Sequence, residues 1–192
     1  MVTDLGTYVT QIYERTIEII IQPGKHTEMV WILAPLAATL ILMELYFSRY
    51  EDEELGWNTA FGNSLVLIFV SASLIKNMFL QGLLSTNLDP VKLGTVIAVL
   101  LVGFILTVLD YFHATPEKIA FGLSSRLPIN FLAYSAILIV YGSLPIDMIT
   151  AAGFIIVLLL VAIALRLIND LVPKFREILI PEPPEPSEQK PY

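Results

Sequence analysis

The stretch VIAVLLVGFILTVL (Val96–Leu109) contains no charged residue and no alternation of apolar and polar positions. A transmembrane β-strand alternates the two at every second residue over about ten residues. A helix satisfies its own backbone hydrogen bonds within lipid, so a continuous apolar run suits it. The stretch therefore predicts a transmembrane α-helix, and the rest of the chain follows the same pattern.

Five apolar runs of this kind predict an all-α, polytopic integral membrane protein. A helix needs roughly 20 residues to cross about 30 Å of hydrocarbon. The fourth run is short, and we expect it to be kinked or partly re-entrant unless it continues to Leu144. The predicted spans, within a transmembrane domain of residues 25–172, are Met29–Phe47, Ala60–Leu84, Val91–Leu109, Leu127–Leu144 and Met148–Ile168.

The two ends of the chain differ from the spans. Residues 1–24 repeat apolar side chains at helical spacing, and Pro23-Gly24 should end that helix. We expect an amphipathic helix that lies on the outer membrane face or packs on a partner. Its apolar stripe is Leu5, Tyr8, Val9, Ile12, Thr16, Ile17 and Ile20. Residues 173–192 end in PEPPEPSEQKPY, which predicts a disordered, acidic, proline-rich tail.

Several turns carry helix-start signals. Asp89-Pro90 is typical of an N-cap followed by the first helical residue. Thr115-Pro116 repeats the pattern and should open a short interfacial segment, Pro116–Leu123. Ser143–Asp147 is a third tight turn, so the second and third spans, and the fourth and fifth, should form antiparallel hairpins.

The distribution of basic residues predicts the orientation. The loops on one side carry three Lys and Arg residues, or four if Lys76 reaches that side, and the other side carries seven. Cytoplasmic loops are enriched in Lys and Arg. We therefore expect a multi-pass protein of the cell membrane with the N-terminus outside and the C-terminus in the cytoplasm.

Composition narrows the function classes. The chain contains no cysteine, which excludes disulfides, thiolate metal sites and a cysteine nucleophile. Its net charge of -7 argues against nucleic acid as a partner. The motifs of serine hydrolases, P-loop proteins, zincins and dinucleotide-binding proteins are missing. No cofactor and no metal are predicted, and an enzyme is not favoured.

Glu51–Glu54 places four acids between the first two spans. A calcium or magnesium site needs several oxygens that converge at defined spacing, normally with a turn-forming glycine. Consecutive acids point in different directions, so a solvated cytoplasmic turn is the favoured interpretation over a cation site.

Polar residues within the spans are the candidate functional residues. In the second span Thr59, Asn63, Ser73, Asn77 and Gln81 share one helical face, and Lys76 lies to the side of it. Such a stripe must face protein or water. It either lines a polar path, with Lys76 as an anion contact, or hydrogen-bonds this helix to its neighbours.

The third and fourth spans carry related faces. Asn130, Tyr134 and Tyr141 share one side of the fourth span, while the third places Asp110 in line with Gly103 and Thr107. If these faces converge, the bundle has a polar interior. If they face separate partners, they form polar contact seams.

Three ionisable residues lie near the predicted cytoplasmic ends. Asp110 and His113 are three residues apart, a spacing that permits metal binding or proton relay, although a capping pair is the favoured interpretation. Glu44 lies one turn inside the first span. Arg49, Arg126 and Arg166 are predicted near the same level, and any one of them could pair with it. Glu44 is either a functional carboxylate or one half of a structural ion pair.

Three functional hypotheses follow. The favoured one is a non-catalytic integral membrane subunit that contacts the lipid bilayer and other membrane subunits, or self-associates, through helices and tail. The alternative is a small oligomeric channel or transporter with a path along the second and fourth spans. A second alternative is an intramembrane enzyme that acts through Glu44, Asp110 and His113.

Overall fold

The computed structural model describes residues 5–49, 56–84, 88–142 and 144–179. Every regular element within these ranges is a helix, which confirms the all-α prediction. The helices, in chain order, are α1 (Leu5–Lys25), α2 (Thr27–Arg49), α3 (Trp57–Leu80), α4 (Pro90–Tyr111), α5 (Glu117–Leu123), α6 (Arg126–Gly142) and α7 (Met148–Leu179).

Five stretches of the described chain are long and apolar enough to span a membrane, which confirms the predicted number of membrane-length helices. They are Thr27–Tyr46, Trp57–Leu80, Pro90–Tyr111, Glu117–Gly142 and Met148–Leu171. The fourth stretch joins α5 to α6, so its apolar length is 26 residues although α6 alone has 17. A break at Ser124 and Ser125 separates the two helices.

Aspartates start two of the helices. The Asp89 side chain accepts hydrogen bonds from the backbone N–H groups of Val91 and Lys92, and Pro90 occupies the first turn, as the sequence predicts. Asp147 accepts a 2.7 Å bond from the Thr150 backbone N–H, which holds the pKa of this exposed carboxyl below its usual value.

The start of α5 differs from the prediction by one residue. Pro116, rather than Thr115, occupies the N-cap position of this helix, and no side chain caps it. The ψ angle of Pro116 is 136°, which is extended and therefore incompatible with a first helical residue.

The α3–α4 hairpin is the most closely packed pair, and α6 packs against both of its helices. Gly103 of α4 lies directly against Leu67 and Ile68 of α3, so that a Cβ on Gly103 would stand only 2.7 Å from the Leu67 Cβ. The buried side chains at the centre of this core are Leu67, Val70, Leu74, Met78, Val96, Val99, Ile129, Ala133 and Ile137.

Helix α1 packs on its own chain, against α7, α2 and α6. It buries Thr16, Ile19 and Gln22, and the Ile19 side chain lies beside Gly153 of α7. Most of the apolar stripe seen in the sequence points away from the bundle. The helix also continues through Pro23 to Lys25, two residues past the expected stop, because a proline near the C-terminal end costs only one ladder hydrogen bond.

Two predicted segments fall outside these ranges wholly or in part. Glu51–Glu54 lies outside the described residues, and so does residue 180 onward. Helix α7 runs to Leu179 and so includes the first seven residues of the segment assigned to the tail.

Candidate functional site

A buried polar cluster lies where α3, α4 and the end of α5 meet. Asp110 is 1% exposed, and its Oδ2 accepts hydrogen bonds from the hydroxyls of Ser64, at 2.6 Å, and Ser124, at 2.7 Å. The Asn63 side-chain amide donates a 2.8 Å bond to the Ser124 backbone carbonyl. The cluster therefore ties three helices together at one point, and we call it the Asp110 cluster.

Aromatic rings cover the same end of the bundle. His113 follows the end of α4 in a left-handed conformation with φ 51°, and its ring stacks on Trp57 with 4.2 Å between centroids. Phe121 of α5 meets the edge of Trp57 at 5.2 Å. The exposed His113 thus joins an aromatic stack, while Asp110 points to the two serines.

A second polar cluster links α2, α6 and α7. The Glu44 carboxylate lies 3.3 Å from Nη1 of Arg126, and both side chains are less than one-fifth exposed. The Asn169 side-chain amide donates to the other carboxylate oxygen of Glu44. Of the candidate bases whose side chains the structure describes, Arg126 and Arg166, Arg126 is the one that pairs with Glu44. This set is called the Glu44 cluster below.

The remaining candidates of α3 point in different directions. Ser73 is exposed and donates to the Phe69 carbonyl of its own helix, and Lys76 is exposed as well. Asn77 is buried and accepts a 3.3 Å bond from the Gln81 amide. Within the part of the chain that the structure describes, the Asn77 Nδ2 has no hydrogen-bond partner. Of the shared face seen in the sequence, Asn63 thus bonds to another element, whereas the hydrogen bonds of Ser73, Asn77 and Gln81 stay local to α3 and its C-terminal end.

The candidates of α6 also bond locally or to α1. The Asn130 amide donates to the Arg126 carbonyl, one turn earlier in the same helix. The Tyr134 hydroxyl donates a 2.8 Å bond to the Ile19 carbonyl of α1. Tyr141 is half-buried at the end of the helix and packs against the core. Tyr134 is therefore the member of this set that fastens α6 to α1.

An apolar groove of about 490 Å³ opens between α1, α2, α6 and α7. Two of its lining residues, Asn130 and Tyr134, are among the predicted candidates. The lining residues are Ile20, Pro23, Leu33, Leu36, Ala37, Leu40, Ile41, Leu127, Asn130, Phe131, Tyr134, Val157, Val161, Ala164, Leu165 and Ile168.

The chemistry available to these arrangements is limited. Among the described residues, no group of three or more His, Asp and Glu side chains is close enough to hold a metal ion. Asp110 has hydroxyl partners and Glu44 has a base and an amide, so both carboxylates act as hydrogen-bond acceptors between helices. Such contacts hold helices together in membranes.

Several residues that complete the clusters are not evident from the sequence. Ser64 and Ser124 carry little distinguishing signal, because serine is common in loops and helices and neither falls on the predicted stripe. Asn169 directly follows the last predicted span, and Gln22, whose amide donates to the Gly142 carbonyl, lies in the predicted N-terminal amphipathic helix. Ser64 could have been found as a polar residue within a predicted span.

Comparisons with known proteins identify no family for this chain. No protein-family model matches the chain, and no curated protein and no solved structure shows significant similarity to it.

Proposed function

We propose that the protein is a non-catalytic integral membrane subunit of a larger membrane assembly, which works through contacts between its helices and those of other membrane chains. The observation that carries this proposal is the pairing of polar side chains inside the bundle. Asp110 with its serines, and Glu44 with Arg126 and Asn169, join helices of this chain to one another.

The alternative functions gain no comparable support. A polar path along α3 and α6 needs side chains that face a common space, whereas Asn63 bonds to Ser124 and Asn130 bonds within its own helix. An intramembrane enzyme acting through Asp110 and His113 needs the two side chains to meet a common substrate, and His113 stacks on Trp57 instead.

The outward face of α1 is the contact surface that fits a partner chain. Leu5 is 77% exposed, Val9 61% and Tyr13 66%, although all three are apolar or aromatic and lie on one side of the first half of the helix. The same side becomes buried further along the helix, at Thr16, so the outward face comprises residues 5–13. Tyrosine is enriched where proteins meet, because it combines apolar area with a polar tip. A hydrophobic helix of another membrane chain is the occupant that we assign to this face.

The first experiment is a mass measurement on the native particle. The protein is extracted from its native membrane in mild detergent, without overexpression, and the particle mass and co-purifying chains are determined. Stoichiometric partner chains are expected. A particle that contains only copies of this chain, or only lipid, overturns the proposal.

A pair of double variants locates the contact. Val9→Ser with Tyr13→Ser removes apolar area from the outward face, and partner recovery should fall. Gln11→Ser with Glu14→Ser changes two exposed polar residues of the same helix and is the matched control. Equal recovery from both double variants, with the spans still inserted, shows that α1 is not the partner surface.

A further inference from the structure

We propose that the groove between α1, α2, α6 and α7 binds one hydrocarbon chain of a membrane lipid whose head group lies at the end marked by the Glu44 cluster. This inference is independent of the proposed subunit function. It assigns a ligand to a cavity that neither the polar clusters nor the outward face of α1 uses.

The position of the Glu44 cluster gives the groove a polar end. Leu127 of the lining directly follows Arg126 in sequence, and Ile168 directly precedes Asn169. Ile41 lies one helical turn before Glu44. The charged and amide groups of the cluster therefore stand beside one end of a lining that is otherwise almost wholly apolar. A lipid has the same order, with a polar head followed by an apolar chain.

The length of the groove matches one leaflet. The lining of α7 runs from Val157 to Ile168, which corresponds to about 16 Å at 1.5 Å per residue. The lining of α2 runs from Leu33 to Ile41, which corresponds to about 12 Å. Half of a hydrocarbon core of about 30 Å is roughly 15 Å. A single chain that starts at the polar end therefore fills the groove to its other end, at Ile20 and Pro23.

The lining favours a flexible chain over a partner helix. Helices that associate in membranes meet through small residues and interhelical hydrogen bonds. Here large branched and aromatic side chains dominate, and Ala37 and Ala164 are the only small residues among those that line the groove in the described chain. The Asn130 amide and the Tyr134 hydroxyl already donate to carbonyls of this chain. A hydrocarbon chain needs no donor and adapts to an irregular apolar wall.

The volume agrees with this occupant. Pockets that hold small molecules measure roughly 300–1,000 Å³, and the groove measures about 490 Å³. Ile20 and Ile41 of the lining are 47% and 44% exposed, so a chain can reach the groove from outside the bundle.

Photolabelling tests the proposal. The full-length protein is reconstituted in palmitoyl-oleoyl phosphatidylcholine vesicles doped with an analogue that carries a diazirine at the middle of one acyl chain. After illumination, the labelled residues are mapped by mass spectrometry. We expect several-fold more label on Leu36, Phe131 and Val161 than on Leu101 and Phe104, which are exposed on α4 away from the groove. Equal labelling of the two sets overturns the proposal.

Variants that fill the groove provide a second test of the proposal. Ala37→Phe and Ala164→Phe each place a ring at the groove, from α2 and from α7 respectively, and each should remove most of the excess label. Ala38→Phe adds the same ring at an exposed neighbouring position of α2 outside the lining, and it should leave the labelling unchanged. Groove labelling that survives both filling variants contradicts a bound chain. So does a co-purified polypeptide that cross-links to Phe131 in place of lipid.

Discussion

Replacement of Gly103 by alanine tests the packing of the α3–α4 hairpin most directly. A Cβ at this position would stand 2.7 Å from the Leu67 Cβ, whereas ordinary contacts begin at 3.4 Å. The Leu67 Cβ is fixed to its backbone and cannot rotate away, so the two helices must separate by about 0.7 Å. The backbone nitrogen of Ile68, in the same helix as Leu67, would lie 3.3 Å from the new Cβ and cannot rotate away either.

The expected cost follows from two opposing effects. Overpacking a close-packed core typically costs about 1–3 kcal/mol. Alanine is favoured over glycine within a helix by roughly 0.5–1 kcal/mol, which offsets part of that cost. We therefore expect Gly103→Ala to lower the free energy of unfolding by about 1–2 kcal/mol.

Gly94 is the matched control, since it lies in the same helix and a Cβ there would meet nothing within 4 Å. Gly94→Ala should leave stability unchanged or raise it by up to about 1 kcal/mol. Both variants are compared with the parent protein by titration with sodium dodecyl sulfate in detergent micelles, followed by circular dichroism. If Gly103→Ala is as stable as Gly94→Ala, the close approach of α3 and α4 is refuted.

Three further predictions concern the polar groups. Asp110→Ala leaves the buried hydroxyls of Ser64 and Ser124 without their shared acceptor, so it should lower the free energy of unfolding by about 1–3 kcal/mol. Ser64→Ala should cause a smaller loss. Both losses are measured by the same titration. Glu44→Gln should lower the free energy of unfolding by less than the roughly 3–5 kcal/mol that breaking a fully buried ion pair costs. Combining it with Arg126→Gln should recover part of this loss. Strictly additive losses in the double variant would contradict the pairing. Asp147 stabilises the start of α7 while ionised, so its contribution is complete above the unfolded pKa of about 3.8 and disappears as the pH falls through the lower folded value. Asp147→Asn keeps a cap that does not titrate, so thermal melts of this variant should lack that acid-dependent loss.

The class of fold can be predicted from the amino-acid pattern. Runs such as Val96–Leu109 must satisfy their backbone hydrogen bonds internally in lipid, and only a helix does so within one segment. The beginnings of α4 and α7, at Asp89-Pro90 and Asp147, can also be predicted from nearby sequence. An N-cap depends only on one side chain and on N–H groups two or three residues away.

Tertiary structure decided which polar groups meet. The hydroxyl of Ser64 reaches Asp110 across 46 residues of sequence, and Asn169 reaches Glu44 across 125. A helical face shows which residues point in one direction, but its neighbour depends on how helices pack around one another. The bond that Asn63 of the α3 stripe makes to the Ser124 carbonyl therefore depends on the packing of the whole bundle.

The contacts of α1 also could not be predicted from the sequence. The apolar spacing of this segment predicts an amphipathic helix whose stripe faces the outer membrane surface or a partner. The structure packs the helix on its own chain through Thr16, which belongs to the stripe, and through Ile19 and Gln22, which do not. Gly153 of α7 admits the Ile19 side chain, and the Gly142 carbonyl accepts a hydrogen bond from Gln22. In a membrane-length bundle, small residues and hydrogen bonds select contact faces, while apolar side chains can remain on the outside. The hydrophobic pattern therefore predicts that α1 is a helix, whereas the residues that this helix contacts depend on the tertiary structure.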